Sequence, residues 1–177
     1  TLISTLIICY VALAICLLYV LFIGWFISFA DVMFLMLDVF LLVMFGTALS
    51  SIINFFLSSQ GQIAAVGTIM SAGYGFICGA YMPISSFSSG LQKVVSFLPG
   101  TYGTSLVRNH SMNGAFREMK SVGIPGNVVE MIRDSIDCNL YFFDNKVDIP
   151  SMYIILAVTT IAFVGVYVAL NALKRKP

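Results

Sequence analysis

Asp38 is the residue of this sequence best placed to do chemistry, because it is the one charged residue in an apolar run over residues 32–57. A carboxylate inside a membrane-spanning helix costs about 2.5–3.5 kcal/mol on insertion scales, and its side chain is too short to reach water. Asp31 precedes it by seven residues, which places the two carboxylates on nearly the same helix face, about 10 Å apart. Two interpretations of Asp38 are open. It is either a structural carboxyl, protonated or bonded to a hydroxyl group of a neighbouring helix, or a member of a polar translocation path.

The sequence contains few other groups that are typical of a catalytic or metal site. It has no GxxxxGK[ST] phosphate-binding loop, so we expect no ATP hydrolysis, enzyme activity, metal or cofactor in this chain itself. The single histidine, His110 in RNHSMNG, has no second histidine and no cysteine at metal-ligand spacing, and we interpret it as a solvated surface residue. Cys9, Cys16 and Cys78 lie in apolar runs and leave Cys138 alone outside them, so no intrachain disulfide is expected.

Membrane-spanning helices are the elements that must position these residues. Hydrophobic residues make up 59% of the 177-residue chain and charged residues only 10%, against about 25% charged in soluble domains. Windows of about 20 residues predict four spans, over about residues 2–29, 32–57, 63–82 and 151–173. A large soluble protein can also bury apolar helices, but this chain has too little polar surface to cover four of them. We therefore predict an all-α, polytopic membrane protein, with residues 1–177 in a single transmembrane domain of the cell membrane.

The stretch MPISSFSSGLQKVVSFLPG, residues 82–100, predicts a short helix of a different kind. Apolar residues recur there at helical spacing: Phe87, Leu91, Val94 and Leu98. A helix over about residues 84–98, ending before Pro99, reaches only about 21 Å and cannot cross a bilayer core of about 30 Å. We expect it either to lie in the membrane interface or to re-enter the outer half of the helical bundle.

Two of the predicted spans carry small or polar residues at helical intervals, a pattern that lets transmembrane helices approach closely. These residues are Gly46, Ser50 and Asn54 in the second span and Thr68, Ser71, Gly75 and Gly79 in the third, where the last two form a GxxxG pair. The pattern is compatible with packing inside the subunit and with contact to a second subunit.

The distribution of positive charge predicts the orientation in the membrane. Lys174, Arg175 and Lys176 directly follow the last span, and positive charge clustered beside a span tends to remain cytoplasmic. The C-terminus is therefore placed inside and residues 99–150 form an outer loop, in which residues 105–120 and 127–138 predict two short helices. Because the chain begins at Thr1 with an apolar run and no signal peptide, we interpret it as a fragment of a longer protein.

The order of these segments resembles that of a known family. The succession of GYGFICGAYMP, the short amphipathic SSFSSGLQKVVSFLPG, TYGTSLVRNHSMNG and a last span ending in basic residues is similar to the C-terminal two-thirds of the membrane (permease) subunit of type-2 ATP-binding-cassette (ABC) exporters. In that family a glycine-rich fifth helix is followed by a re-entrant helical hairpin on the outer side. Leu98, Pro99, Tyr102 and Arg108 match the stretch that follows the hairpin. The resemblance implies that the four spans are the third to sixth helices of a six-helix subunit.

The resemblance also implies a function and partners. It implies the permease subunit of an ATP-driven exporter, which pairs with a second permease subunit as a homo- or heterodimer among membrane lipids. A separate cassette ATPase subunit would carry ATP and Mg²⁺, and no nucleic-acid partner is expected. The substrate path would include Asp38, Asn54, Phe87, Leu91 and Pro99. The alternatives are a non-transporting membrane anchor or sensor whose outer loop binds a ligand, and an ion-coupled carrier, which would be expected to carry more charge inside its spans.

Overall fold

The computed structural model describes residues 2–143 and 145–174, so Arg175 and Lys176, used above to orient the chain, lie outside the described residues. The described residues form seven α-helices, a 3-10 turn and a two-stranded hairpin. In chain order these are α1 (Leu2–Ile23), α2 (Phe29–Phe55), α3 (Gln60–Ile77), the 3-10 turn (Ile84–Ser86), α4 (Ser89–Val95), α5 (Pro99–Ser121), α6 (Gly126–Ser135), β1 (Leu140–Phe142), β2 (Asn145–Val147) and α7 (Ile149–Lys174). We refer to the 3-10 turn, α4, α6 and the hairpin together as the cap.

Three helices of the described residues are long and apolar enough to cross a membrane, namely α1, α2 and α7. They have 22, 27 and 26 residues, and at about 1.5 Å per residue each exceeds a bilayer core of about 30 Å. The prediction of a mainly helical fold is confirmed, and by length and composition three of its helices suggest a membrane protein. The helix α3, with 18 residues and glutamines at Gln60 and Gln62 in its first turn, is not one of the three.

The core forms where α5 packs between α2 and α7. Two glycines of α5 permit this approach. A Cβ on Gly103 would overlap Leu42 of α2 and contact Leu156 of α7, and a Cβ on Gly114 would overlap the backbone carbonyl of Phe26. Because the start of α5 lies beside the middle of α2 and its later part lies beside the chain just before α2, the two helices run antiparallel.

The end of α3 corrects the predicted GxxxG packing pair. The helix stops at Ile77, and Gly79 beyond it has a φ of +79°, a left-handed conformation that glycine adopts without steric cost and that commonly ends helices. Gly79 therefore lies in a turn, where Ile84 packs against it. A Cβ on Gly75 would meet the ring of Tyr81 and not another helix. Thr68 and Ser71, also predicted to pack, are exposed on α3 and donate their hydroxyl groups to carbonyls of the same helix.

The predicted helix over residues 84–98 is divided into the 3-10 turn and the seven-residue α4. Its buried residues are Ile84, Val95 and Ser96. Leu91 is 43% and Val94 63% exposed, whereas Phe87 and Leu98 are half-buried, so only part of the predicted apolar face is covered. The Gln92 amide explains the break, because it donates to the carbonyl of Phe87 at 2.8 Å and fixes a bend before α4.

The helix α6 and the residues directly after it pack against one side of α5. Val129 of α6 packs with Phe116 of α5 and with Cys138 in a small, separate apolar cluster. The two helices predicted in the outer loop are present as α5 and α6, although α5 begins at Pro99 and not at residue 105. The antiparallel β1–β2 pair, with Leu140 opposite Val147, is not apparent in the sequence because each strand has only three residues.

Candidate functional site

Asp38 lies where α2, α5 and α7 meet, and it is completely buried. Its Oδ2 is 2.7 Å from Nδ1 of His110 on α5, and the hydroxyl group of Tyr153 on α7 donates to its Oδ1. A hydroxyl group of a neighbouring helix therefore does bond this carboxyl, as the structural interpretation of Asp38 expects. One acidic side chain thus connects all three helices of the core.

The interpretation of His110 as a solvated surface residue is wrong. The residue is 7% exposed, and its ring stacks on Phe34 of α2 with the centroids 5.0 Å apart and 17° between the planes. The error follows from treating residues 99–150 as a loop, whereas α5 is part of the core and turns His110, Asn113 and Arg117 toward α2. One sequence signal was available: an acid inside a span needs a polar partner, and His110 is the single histidine of the chain.

The cluster of Asp38, His110 and Tyr153 has the parts to hold and transfer a proton. In serine hydrolases a carboxylate orients a histidine in a similar way, but the second ring nitrogen then contacts a nucleophile. Within the described residues, Nε2 of His110 makes no hydrogen bond to a serine or cysteine. The same part of the chain contains no group of three or more His, Cys, Asp or Glu residues arranged to hold a metal ion. The cluster is thus a pair of titratable groups in a protein core, where an unpaired charge would be strongly destabilising.

Asp31 forms a second contact of the same kind near the start of α2. Its Oδ2 lies 2.6 Å from Nη2 of Arg117 on α5, and Nδ2 of Asn113 donates to its Oδ1 at 2.8 Å. The backbone N–H of Ser28 also donates to Oδ2, at 3.1 Å, in a capping interaction at the start of α2. Asp31 is 4% exposed, whereas the side chain of Arg117 is 49% exposed.

The two contacts share one spacing. Asp31 and Asp38 are seven residues apart on α2, and their partners Arg117 and His110 are seven residues apart on α5. Seven residues are about two helical turns. Because the helices are antiparallel, this matched spacing places both acids opposite both bases at once, and it sets the register of α5 against α2.

Asp137 forms a third polar contact, between the cap and α5. Nη1 of Arg108 lies 2.9 Å from its Oδ2, and the backbone N–H groups of Ile84 and Ser85 donate to the same carboxylate. Arg108 also donates to the carbonyl of Gly79 in the turn after α3. This arginine, which the family resemblance picked out, joins the end of α3 and the cap to α5.

The other predicted path residues do not converge on Asp38. Asn54 is 16 residues further along α2, about 24 Å away, and its amide donates to Ser50 at 3.2 Å. The remaining three lie on or beside the cap: Phe87 packs on Phe76 with ring centroids 6.2 Å apart, Leu91 is exposed, and Pro99 is the first residue of α5.

An open groove of about 320 Å³ lies between the C-terminal half of α2 and α3. It is lined by Gly46, Ser50 and Asn54 of α2 and by Ser71 and Gly75 of α3, among others. A Cβ built on Gly46 would meet no atom within 4 Å, so the predicted small-residue seam is not a tight helix contact within this chain. The two helices do meet at the rings of Phe45 on α2 and Tyr74 on α3, whose centroids are 6.1 Å apart.

Comparison of the chain with protein-family models, with curated proteins and with solved structures finds no match. The resemblance to type-2 exporters therefore stays a prediction. A functional proposal depends on the residues and the geometry described above.

Proposed function

We propose that this chain is part of the permease of an ATP-driven exporter, in which a separate cassette subunit binds and hydrolyses ATP with Mg²⁺. In this proposal α3 is the third of four spans, and the cap together with α5 forms a re-entrant element on the outer side. The C-terminus lies in the cytoplasm, and two permease subunits form the path.

The course of α5 is the observation that supports this proposal. Gly103, near the start of α5, lies beside Leu42, which is about 20 Å along α2 from the first residue of α2. From there α5 runs back toward the start of α2, where Arg117 lies beside Asp31. The chain that leaves α3 therefore lies against α2 and α7 and does not extend away from them. Polar residues of α5 are buried between this core and the cap, among them Thr101, Ser105 and Asn109, which donate to backbone carbonyls in and beside the cap. Such a polar helix in a membrane protein is typical of a segment that is buried in protein or lines a cavity.

A proton-coupled carrier is the second candidate, and one observation favours it. Asp38 and His110 are two titratable groups in direct contact, with Asp38 on a helix that is apolar enough to span a membrane. Intramembrane carboxylates and histidines occur in the proton relays of pumps and transporters. In an exporter the same pair would serve only to fix α5 against α2.

Purification of this protein from native membranes tests the proposal. We expect a cassette ATPase to co-purify, and we expect its ATP hydrolysis rate to change when it is reconstituted with the permease in proteoliposomes. The permease alone, as the matched control, should not hydrolyse ATP. Absence of any associated ATPase would contradict the exporter proposal. Proton uptake into proteoliposomes that contain the permease alone, lost in Asp38→Asn, would instead support the carrier.

A further inference from the structure

The cap and the start of α5 line an open pocket of about 270 Å³, which has polar side chains in its wall and no part in the proposed path. Its wall comes from the 3-10 turn, α4, α5, the end of α6 and β1. Two carboxylates, Asp134 and Asp137, line it, and no lysine, arginine or histidine of the described residues does. The pocket therefore has an acidic wall.

The two carboxylates differ in how far their charge is balanced. Asp137 is paired with Arg108 and receives two backbone N–H groups. Asp134 accepts hydrogen bonds at Oδ1 from the amide of Asn139 at 2.7 Å and from the hydroxyl group of Tyr141 at 3.1 Å. Within the described residues, however, no basic group lies within ion-pair distance of Asp134. Asp134 is half-buried, and its carboxylate therefore has no ion-pair partner in the part of the chain that the structure describes.

The hydroxyl groups in the wall are all committed as donors. They belong to Ser85, Ser96, Thr101, Tyr102 and Tyr141, and each donates to a protein oxygen at 2.5–3.1 Å. The amide groups are committed too, because Gln92 donates to the carbonyl of Phe87 and Asn139 donates to the carboxylates of Glu130 and Asp134. The side-chain groups left to bind a ligand are therefore acceptors, namely the lone pairs of the hydroxyl oxygens, the amide oxygens and the carboxylate of Asp134.

We propose that this pocket binds a small organic cation that carries an N–H-bearing ammonium group. An ammonium group supplies both things that the wall lacks, a positive charge opposite Asp134 and hydrogen-bond donors for the free acceptor oxygens. The rings of Tyr102 and Tyr141 add aromatic surface that attracts a cation. The volume is close to the lower end of the range for ligand sites, about 300–1,000 Å³, which limits the ligand to a small molecule.

Other classes of ligand fit the wall less well. An anion would be repelled by the carboxylate of Asp134. A neutral polyol would supply hydrogen-bond donors but would leave the charge of Asp134 unbalanced. A calcium ion takes six to eight oxygen ligands with several carboxylates, whereas only one carboxylate here is free, and the described residues contain no cluster of three acidic, histidine or cysteine residues. The inference is independent of the export proposal, since it concerns only the pocket wall.

Calorimetric titration of the detergent-solubilised full-length protein with benzylammonium chloride tests the inference. Benzyl alcohol and benzoate are the neutral and anionic probes of similar shape. We expect benzylammonium to bind, benzyl alcohol to bind at least tenfold more weakly, and benzoate not to bind. Absence of benzylammonium binding at millimolar concentration, or equal affinity for the alcohol, would overturn the proposal, as would calcium chloride binding that displaces benzylammonium.

Two variants and one control locate the binding to this pocket. Asp134→Asn should weaken benzylammonium at least tenfold. Tyr141→Leu should weaken it severalfold, and because Tyr141 is 47% exposed, this second variant should fold even where Asp134→Asn does not. Asp148→Asn is the matched control, since Asp148 lies just before α7 and does not line this pocket. Unchanged affinity in the folded variants, or an equal loss in the control, would refute the assignment.

Discussion

Nδ1 of His110 lies 2.7 Å from Oδ2 of Asp38, although 72 residues separate the two in the sequence. This contact makes α5 a member of the helical core instead of an outer loop. It also means that each partner determines the cost of burying the other. With the imidazole removed, the carboxylate would keep a single hydrogen-bond donor, the hydroxyl group of Tyr153.

His110→Ala should therefore destabilise the protein by about 3–5 kcal/mol, the usual cost of removing one partner of a buried pair. The free energy of unfolding, measured by denaturant titration of the solubilised protein, checks this value. Asp38→Asn introduced into the His110→Ala protein should recover most of the loss, because it removes the uncompensated charge.

Two results control this experiment. Ser111→Ala, one residue further along α5, should have little effect, since the Ser111 hydroxyl group bonds only to the carbonyl of Arg108 on the same helix. Asp38→Asn alone should still insert into the membrane, because it lowers the charge of a span. If Asp38→Asn fails to rescue His110→Ala, the pair does not carry the energy assigned to it.

Gly114→Ala should destabilise the protein by about 1–3 kcal/mol or more, the range for overpacking a tight contact. The added methyl group would overlap the backbone carbonyl of Phe26, which is less able to move than the end of a side chain. Gly46→Ala is the matched control on α2, because a Cβ there meets no atom within 4 Å. It should be neutral or slightly stabilising, since alanine favours the helix. Equal thermal unfolding temperatures for the two variants would show that α5 does not pack against the chain before α2.

The apolar runs determined how much of this fold was predictable. Three long apolar stretches appear as α1, α2 and α7 because their length and composition alone specify a spanning helix. The role of α5 was not predictable in this way, since its burial depends on contacts between residues far apart in sequence, such as Arg117 with Asp31. Gly79 illustrates a second limit, because GxxxG spacing does not reveal that the helix ends before its second glycine.

Of the residues in the buried cluster, the sequence identified only Asp38. The cost of an acid inside a span correctly indicated that Asp38 needs a polar partner. The partners, His110 and Tyr153, come from helices whose neighbours the sequence does not identify. A search for residues seven apart on two segments would have paired Asp31 and Asp38 with Arg117 and His110, but only if residues 99–121 had been taken as one helix.

Cys138 should react slowly with maleimide reagents at pH 8. Burial raises the pKa of its thiol to about 11, an effect that Arg133 and Arg108 only partly oppose, and the residue is 2% exposed. At pH 8 a thiol of that pKa is about 0.1% thiolate, against about a quarter for an ordinary cysteine. Mass spectrometry after timed labelling measures the rate. A cysteine introduced at the exposed Val122, which is 74% exposed, is the control and should react at least a hundredfold faster, and equal rates would contradict the buried position.

Lys93 and Lys174 should be accessible from opposite sides of the membrane. Nζ of Lys174 lies 5.1 Å from the ring centroid of Phe55 at the end of α2, whereas Arg117 of α5 binds Asp31 at the start of α2. The 27 residues of α2 separate these two levels by about 40 Å, and the exporter proposal places the segment between α3 and α7, which carries Lys93, on the outer side.

A membrane-impermeant amine reagent applied to intact cells should therefore modify Lys93 and leave Lys174 unmodified until the membrane is permeabilised. Lys146 on β2 is an internal control, because it lies in the same segment as Lys93 and should react together with it. Peptide mass spectrometry distinguishes the three sites. Modification of Lys93 only after permeabilisation, with Lys174 modified in intact cells, would invert the orientation. It would also remove the outer re-entrant element on which the exporter proposal depends.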